Sequence, residues 1–202
     1  MHALRSIDDF HQILFEWFGV FGRHYIPWKL KLDGSAPVSG EFISPYKIWV
    51  AEVMLQQTQL KTVIPYWEKW MKTLPSLIDL AEADEQDVLM QWQGLGYYSR
   101  ARRLHQSSEL LIAFTGKNNF NDPLFWPVEI NHWMSLPGIG RSTAGSIISS
   151  AFDLPSPILD GNVKRVLSRL FAIETITGKE EKRLWELSSL LLSKDRPRDF
   201  NQ

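Results

Sequence analysis

Three short segments combine residue types whose chemistry depends on where they are placed. Glu52 stands in the run Ile48-Trp49-Val50-Ala51-Glu52-Val53-Met54-Leu55-Gln56. At helical spacing Ile48, Trp49, Leu55 and Gln56 share its face, while Val50, Val53 and Met54 make the other sides apolar. A helix of this pattern is buried all round. A carboxyl inside it is costly unless it is paired or its pKa rises until it holds a proton. The second outcome makes a general acid for use near pH 7, and the first is a buried glutamate paired with an arginine. The spacing alone leaves both open.

The second segment is Leu136-Pro137-Gly138-Ile139-Gly140-Arg141-Ser142-Thr143-Ala144. Pro137 disfavours helix in the residue before it, so one helix ends there. Gly138 and Gly140 permit positive φ and a close backbone approach, and Ser142 and Thr143 begin another helix. Exposed amides at such a helix start suit a phosphate, although a plain helical turn has the same pattern. A Walker loop is excluded because its Gly-Lys-Ser/Thr ending is missing, and Thr143 replaces the third glycine of a dinucleotide fingerprint. The third segment is Ile158-Leu159-Asp160-Gly161-Asn162-Val163-Lys164-Arg165. Asp160 sits where an N-cap belongs, ahead of a helix bearing Val163, Val166, Leu167 and Leu170.

The elements that must position these groups are helical. Ile7, Phe10, Ile13, Leu14, Trp17 and Phe18 follow Ser6 at helical spacing, with Ser6 as cap and Asp9 in the first turn. Pro45 suits the first turn of a helix reaching to about Thr58. Further helices are predicted over 61–73, 76–82, 85–92, 98–114, 127–135, 142–152, 161–172 and 179–193. Period-two strands and internal repeats are lacking, so the chain reads as all-α. The Gly-, Ser- and Pro-rich stretch from about Lys31 to Ser44 reads as a long, mobile loop.

The chain has 202 residues, 44% hydrophobic and 22% charged, enough to bury a core as one large domain or two small lobes. No apolar stretch approaches the roughly 18 residues of a membrane span. The residues from Met1 to Asp9 turn polar and acidic too early for a secretory signal. Zero cysteines exclude disulfides, thiolate metal ligands and a thiol nucleophile in this chain. With a net charge of −1, a polyanionic partner would need local positive charge. Arg100, Arg102, Arg103 and His105 form one such run and Lys164, Arg165 and Arg169 another, each equally readable as a solvated helix face. Most of the nine tryptophans are expected in a core, with some as stacking surfaces.

In this order the segments resemble the adenine-specific DNA glycosylases of the MutY type, within the helix-hairpin-helix glycosylase superfamily. The resemblance runs from Ile26-Pro27-Trp28 to the end of the chain. It is firmest at Trp49 to Gln59, Gly94-Leu95-Gly96-Tyr97-Tyr98-Ser99-Arg100-Ala101-Arg102, the glycine hairpin, and Leu159 to Val166. It implies a helix-hairpin-helix glycosylase fold, two helical lobes with a DNA-binding cleft between them. One lobe would span 29–152 and contain the hairpin at about 131–147; 1–28 with 153–202 would form the other, incomplete one. The implied partner is double-stranded DNA containing adenine opposite 8-oxoguanine or guanine, bound by a monomer in the cytoplasm on the nucleoid, with no membrane.

The same resemblance implies roles. Glu52 protonates adenine at N7 and helps activate water, and Asp160 stabilises the oxocarbenium-like sugar, electrostatically or through a transient adduct. Gln57 and Tyr97 resemble a wedge that enters the helix beside the orphaned base, and Trp28 a wall of the adenine pocket. Backbone amides around Gly138, Gly140 and Ser142 would grip a phosphate, with Asn162 and Lys164 near the reactive sugar. The arginines after Tyr98 would face phosphates. The endonuclease III branch carries a Schiff-base lysine at the position of Ser142, so serine implies a monofunctional enzyme. The family continues into a 4Fe–4S segment and a C-terminal 8-oxoguanine-recognition domain. A chain ending at Gln202 without cysteine is expected to be truncated and to ligate no cluster or other metal. A mispair-binding remnant without turnover is the competing expectation.

Overall fold

Side-chain caps and prolines fix where many of the helices begin. A computed structural model describes residues 6–116 and 125–202; Met1 to Arg5, read above for a leader, lie outside them. Ser6 accepts a hydrogen bond from the Asp9 amide at 3.0 Å and opens α1, Ile7–Phe21. A single 3-10 turn follows at Pro27–Lys29. Ser44 caps α2, Pro45–Leu55, with Pro45 in its first turn. Then come α3 (Leu60–Thr73), α4 (Leu77–Glu82), α5 (Glu85–Trp92), α6 (Ser99–Thr115) and α7 (Ile130–Met134). The order closes with α8 (Arg141–Phe152), α9 (Gly161–Leu170), α10 (Gly178–Leu191) and α11 (Pro197–Phe200). Among the described residues there is no strand, as the periodicity predicts.

α2 is the central element. Ile48, Trp49, Val50, Ala51 and Met54 are all buried, and α2 packs most heavily against α8. Around it lies a core from Ile26 to Ala151, studded with indoles: Trp28 against Trp67, Trp70 against Trp92, and Trp49 and Trp126 against Trp133. Truncating one such buried indole costs on the order of 3–5 kcal/mol. Seven of the nine tryptophans are buried, so tryptophan is mainly core rather than stacking surface. A second, smaller cluster joins Leu159, Leu167, Leu184 and Leu191 to Phe10, Phe171 and Phe200.

Two expectations are corrected. α2 stops at Leu55 rather than Thr58, because Gln56 turns to an extended conformation and Gln57 takes φ +58°. The stretch from Lys31 to Ser44 is tied down over its second half, against its reading as mobile. Ile43 donates its amide to the Ala151 carbonyl at 2.9 Å and Gly40 donates its own to Asp153 Oδ2 at 2.8 Å. Arg198 on α11 reaches the Glu41 and Ser150 carbonyls. The loop thereby straps the end of α8 to α11.

Candidate active site

Glu52 lies on the side of α2 that meets α8, and the Ser146 hydroxyl on α8 donates a hydrogen bond to its carboxyl. Burial pushes the Glu52 carboxyl up from the ordinary glutamate value, against the opposing pull of the Lys29 charge and the Ser146 hydrogen bond. Asp160 adds a smaller upward push, which places the two carboxyls within electrostatic reach of each other. Lys29 belongs to the 3-10 turn between Trp28 and Leu30. Burial lowers its ammonium to about 8, and the Glu52 carboxylate is the largest influence holding it higher. Of the two alternatives left by the sequence, Glu52 shows the raised affinity for a proton, and the charge that most opposes it belongs to a lysine rather than an arginine.

Asp160 occupies the opposite kind of environment. It is exposed, and its Oδ1 accepts the amides of Asn162 at 2.9 Å and Val163 at 2.8 Å as the N-cap of α9. The residue before it, Leu159, is buried and donates its amide to the Ser142 hydroxyl at 2.7 Å. The hairpin serine therefore fixes the turn that carries Asp160. The Ser142 hydroxyl faces the protein interior, and only its backbone remains for a phosphate.

The hairpin joins α7 to α8. Gly138 needs to be glycine: its φ is +82°, and a Cβ there would meet Arg103 Cδ at 2.9 Å. Its carbonyl accepts from Gln56 Nε2 at 3.2 Å, which fastens the hairpin to the end of α2. Gly140 does not use the positive φ that glycine permits. It is the N-cap of α8 in extended backbone (φ −91°), which any residue adopts, and the space where a Cβ would sit is open. The first-turn amides of α8 lack intrahelical acceptors by the geometry of any helix start.

The remaining predicted residues divide. Gln57 and Tyr97 are both exposed, at the tips of two turns, and both in the left-handed region, with φ +58° and +50°. Trp28 is only 1% exposed, so it lies beneath the surface, packed 5.4 Å from Trp67. Asn162 is exposed and accepts from Arg165 Nη2 at 2.8 Å. Lys164 is held by Glu181 at 2.5 Å. Arg100 contradicts the reading of its run as a phosphate-facing surface: it is 6% exposed, because its guanidinium satisfies carbonyls at the end of α2. Arg102 and Arg103 are exposed, the former paired with Glu85 at 3.2 Å. Two surface depressions, one around Ile173, Lys179 and Arg183 and one around Ser39, Asp153 and Arg198, include neither carboxyl.

The sequence reading missed Lys29 and Ser146. Lys29 carried a signal, a charged residue directly beside a tryptophan that the resemblance had placed at the site; Ser146 carried none. The residues present do not fit the iron–sulfur cluster of the resemblance. The chain has no cysteine, and among the described residues no three His, Asp or Glu side chains gather where an ion could sit.

Comparison with known proteins is consistent with this geometry. The adenine DNA glycosylase of Buchnera aphidicola subsp. Baizongia pistaciae is 40% identical over 193 residues, covering 96% of this chain and 50% of that protein. The adenine DNA glycosylase of Schizosaccharomyces pombe is 42% identical over 212 residues, covering 98% of this chain and 43% of the relative. The chain thus spans about half the length, or less, of the curated relatives it matches. The solved structure of a thermostable thymine-DNA glycosylase superposes with a TM-score of 0.77 at 23% identity, over 96% of this chain and 82% of that one, which shows the fold. Residues 50–189, from within α2 to near the end of α10, match the family described as HhH-GPD superfamily base excision DNA repair protein. The chain belongs to that family.

Proposed function

We propose that the chain is the catalytic core of a monofunctional adenine DNA glycosylase acting on adenine opposite 8-oxoguanine or guanine. The observation that carries this reading is the pair of unlike carboxyls: Glu52, desolvated and inclined to hold a proton, electrostatically coupled to Asp160, exposed and capped. Dividing a proton donor from a charge stabiliser in this way suits cleavage of a glycosidic bond.

The adenine leaves the stack to reach the site. Glu52 protonates it at N7, the C1′–N9 bond breaks, and its electron pair goes to the departing base. The positive charge developing on the sugar is met by the Asp160 carboxylate, whose position the Ser142–Leu159 hydrogen bond and its own cap hold rigid. Water then adds to C1′ and gives its proton to the Glu52 carboxylate, which regenerates the acid and leaves an abasic site. Ser142 supplies no amine for a Schiff base, and Lys164, bound to Glu181, is poorly placed to replace one. Trp28 supports the pocket from beneath, Gln57 and Tyr97 fill the gap left by the flipped base, and the α8 amides with Asn162 meet the backbone. The two hydrophobic clusters are the cores of the two lobes, with the DNA between them.

The test is single-turnover adenine release from an A:8-oxoguanine duplex by the 202-residue chain, resolved with and without alkali. Breaks that need alkali to appear, and that Glu52→Gln abolishes, are expected. Salt-sensitive binding to the mispair without release would favour the non-catalytic remnant. Strand breaks without alkali would contradict the monofunctional reading.

A further inference from the structure

Among the described residues, Arg100 is the most heavily hydrogen-bonded side chain that the mechanism does not use. Its Nη1 donates to the carbonyls of Val53 at 3.1 Å, Met54 at 2.8 Å and Gln56, where α2 runs out of helical donors. Its Nη2 donates to Thr58 Oγ1 at 3.2 Å, Leu95 O at 3.3 Å and Gly96 O at 3.2 Å. The guanidinium lies 5.3 Å from the Trp92 ring centroid and 5.5 Å from that of Tyr97. One buried plane thus grips two turns that are distant in sequence.

Each of those turns ends in an exposed non-glycine residue in the left-handed region, Gln57 on one and Tyr97 on the other. Such conformations persist only where the surroundings over-determine them, and they concentrate where a side chain must be presented in a set direction. The carbonyls Arg100 binds, Gln56 and Gly96, immediately precede the two strained residues. The second turn also needs Gly94, whose φ is +98° and where a Cβ would run into the Tyr66 hydroxyl.

We propose that Arg100 is a positioning residue that assembles Gln57 and Tyr97 into one rigid wedge before DNA binds. The proposal rests on the wedge reading given above. A planar fork with donors on two edges can serve both turns at once, whereas a lysine ammonium of the same charge cannot. Rigidity matters because ordering two loose turns during insertion would be subtracted from the binding that drives the base out.

A mutant cycle on the 202-residue chain tests this, using single-turnover excision from an A:8-oxoguanine duplex and the fluorescence of 2-aminopurine placed beside the target adenine. Arg100→Lys is expected to slow both excision and the fluorescence rise by about tenfold, the scale of a misplaced positioning group, without altering the pH profile of excision. In a background already carrying Gln57→Ala and Tyr97→Ala, the same substitution is expected to cost nothing more, because there is no wedge left to position. An undiminished loss in that background would overturn the proposal, as would wild-type kinetics for Arg100→Lys beside a slow wedge-less chain. Wild-type kinetics for the wedge-less chain itself would overturn the wedge reading, a failure that does not involve Arg100. Should Arg100→Lys lose its cooperative melt, Thr58→Val removes one tether only. It is then expected to slow insertion by about two- to fivefold in the native background and not in the wedge-less one, and an equal loss in both would overturn the proposal.

Discussion

The start of α9 and the middle of α2 present carboxyls in opposite ways. Asp160 sits exposed at a helix N-terminus, and two amides donate to its Oδ1 as part of an ordinary cap. Glu52 sits in a helix buried nearly all round, where burial pushes its pKa up and a single lysine and a serine hydroxyl only partly oppose that push. The same functional group is thus a helix cap at one site and, at the other, a group whose affinity for a proton is raised. The difference comes from the surrounding backbone and solvent, not from the acid itself.

The sharpest way to break the comparison is Glu52→Gln. Loss of a general acid is expected to slow excision by about 10²–10⁴-fold, measured at single turnover. Folding stability at neutral pH should not fall. Glu52 has a raised folded pKa, so the native state holds its proton more tightly than the unfolded state. The ionised residue therefore opposes folding increasingly as pH rises above its unfolded value, and an amide removes that opposition. A melting temperature lowered by several degrees would show that Glu52 is a structural partner of Lys29 instead.

Next in size is Asp160→Asn, expected to slow excision by about 10²–10³-fold, as for loss of one preorganised electrostatic group. Asparagine caps a helix about as well as aspartate, so the melting temperature should hold, whereas Asp160→Ala should also lose about 1 kcal/mol of stability. Wild-type excision by Asp160→Asn, with any loss confined to the destabilised Asp160→Ala, would reduce Asp160 to a cap. Ser142→Ala sharpens the same point at smaller cost. It leaves the buried Leu159 amide without its acceptor, for roughly 1–3 kcal/mol of stability by denaturant unfolding, and should slow excision through the displaced Asp160 turn. The smallest effect is expected for Lys29→Met. The ammonium holds the Glu52 pKa down, so its removal should move the alkaline decline of the excision rate to higher pH; a shift to lower pH would contradict that electrostatic coupling.

These expectations also mark where the sequence is informative. The burial of α2, the hairpin, the Ser6 and Asp160 caps and most helix limits follow from local spacing, and each was legible because neighbours in the chain decide it. The charge of Lys29 acting on Glu52, Ser142 on the Leu159 amide and Arg100 across two turns all join distant segments, and no periodicity encodes them. Arg100 was misread for a related reason. Three arginines and a histidine in one run look like a basic surface, yet helical phase turns Arg100 inward beside Ala101 and Leu104 while Arg102 and Arg103 face solvent. The Lys31–Ser44 stretch has a composition typical of loops, and its anchorage on Ala151, Asp153 and Arg198 becomes visible only in three dimensions.

The central claim, that burial and the nearby Asp160 raise the affinity of Glu52 for a proton, is open to direct measurement. Carbon-13 NMR of the chain labelled at glutamate Cδ, with the Glu52 signal assigned by its disappearance in Glu52→Gln, would follow its protonation against pH. The account predicts a midpoint above the ordinary glutamate value of 4.5, moving down in Asp160→Asn as the neighbouring negative charge is removed. A midpoint at or below 4.5, or one indifferent to Asp160, would contradict it.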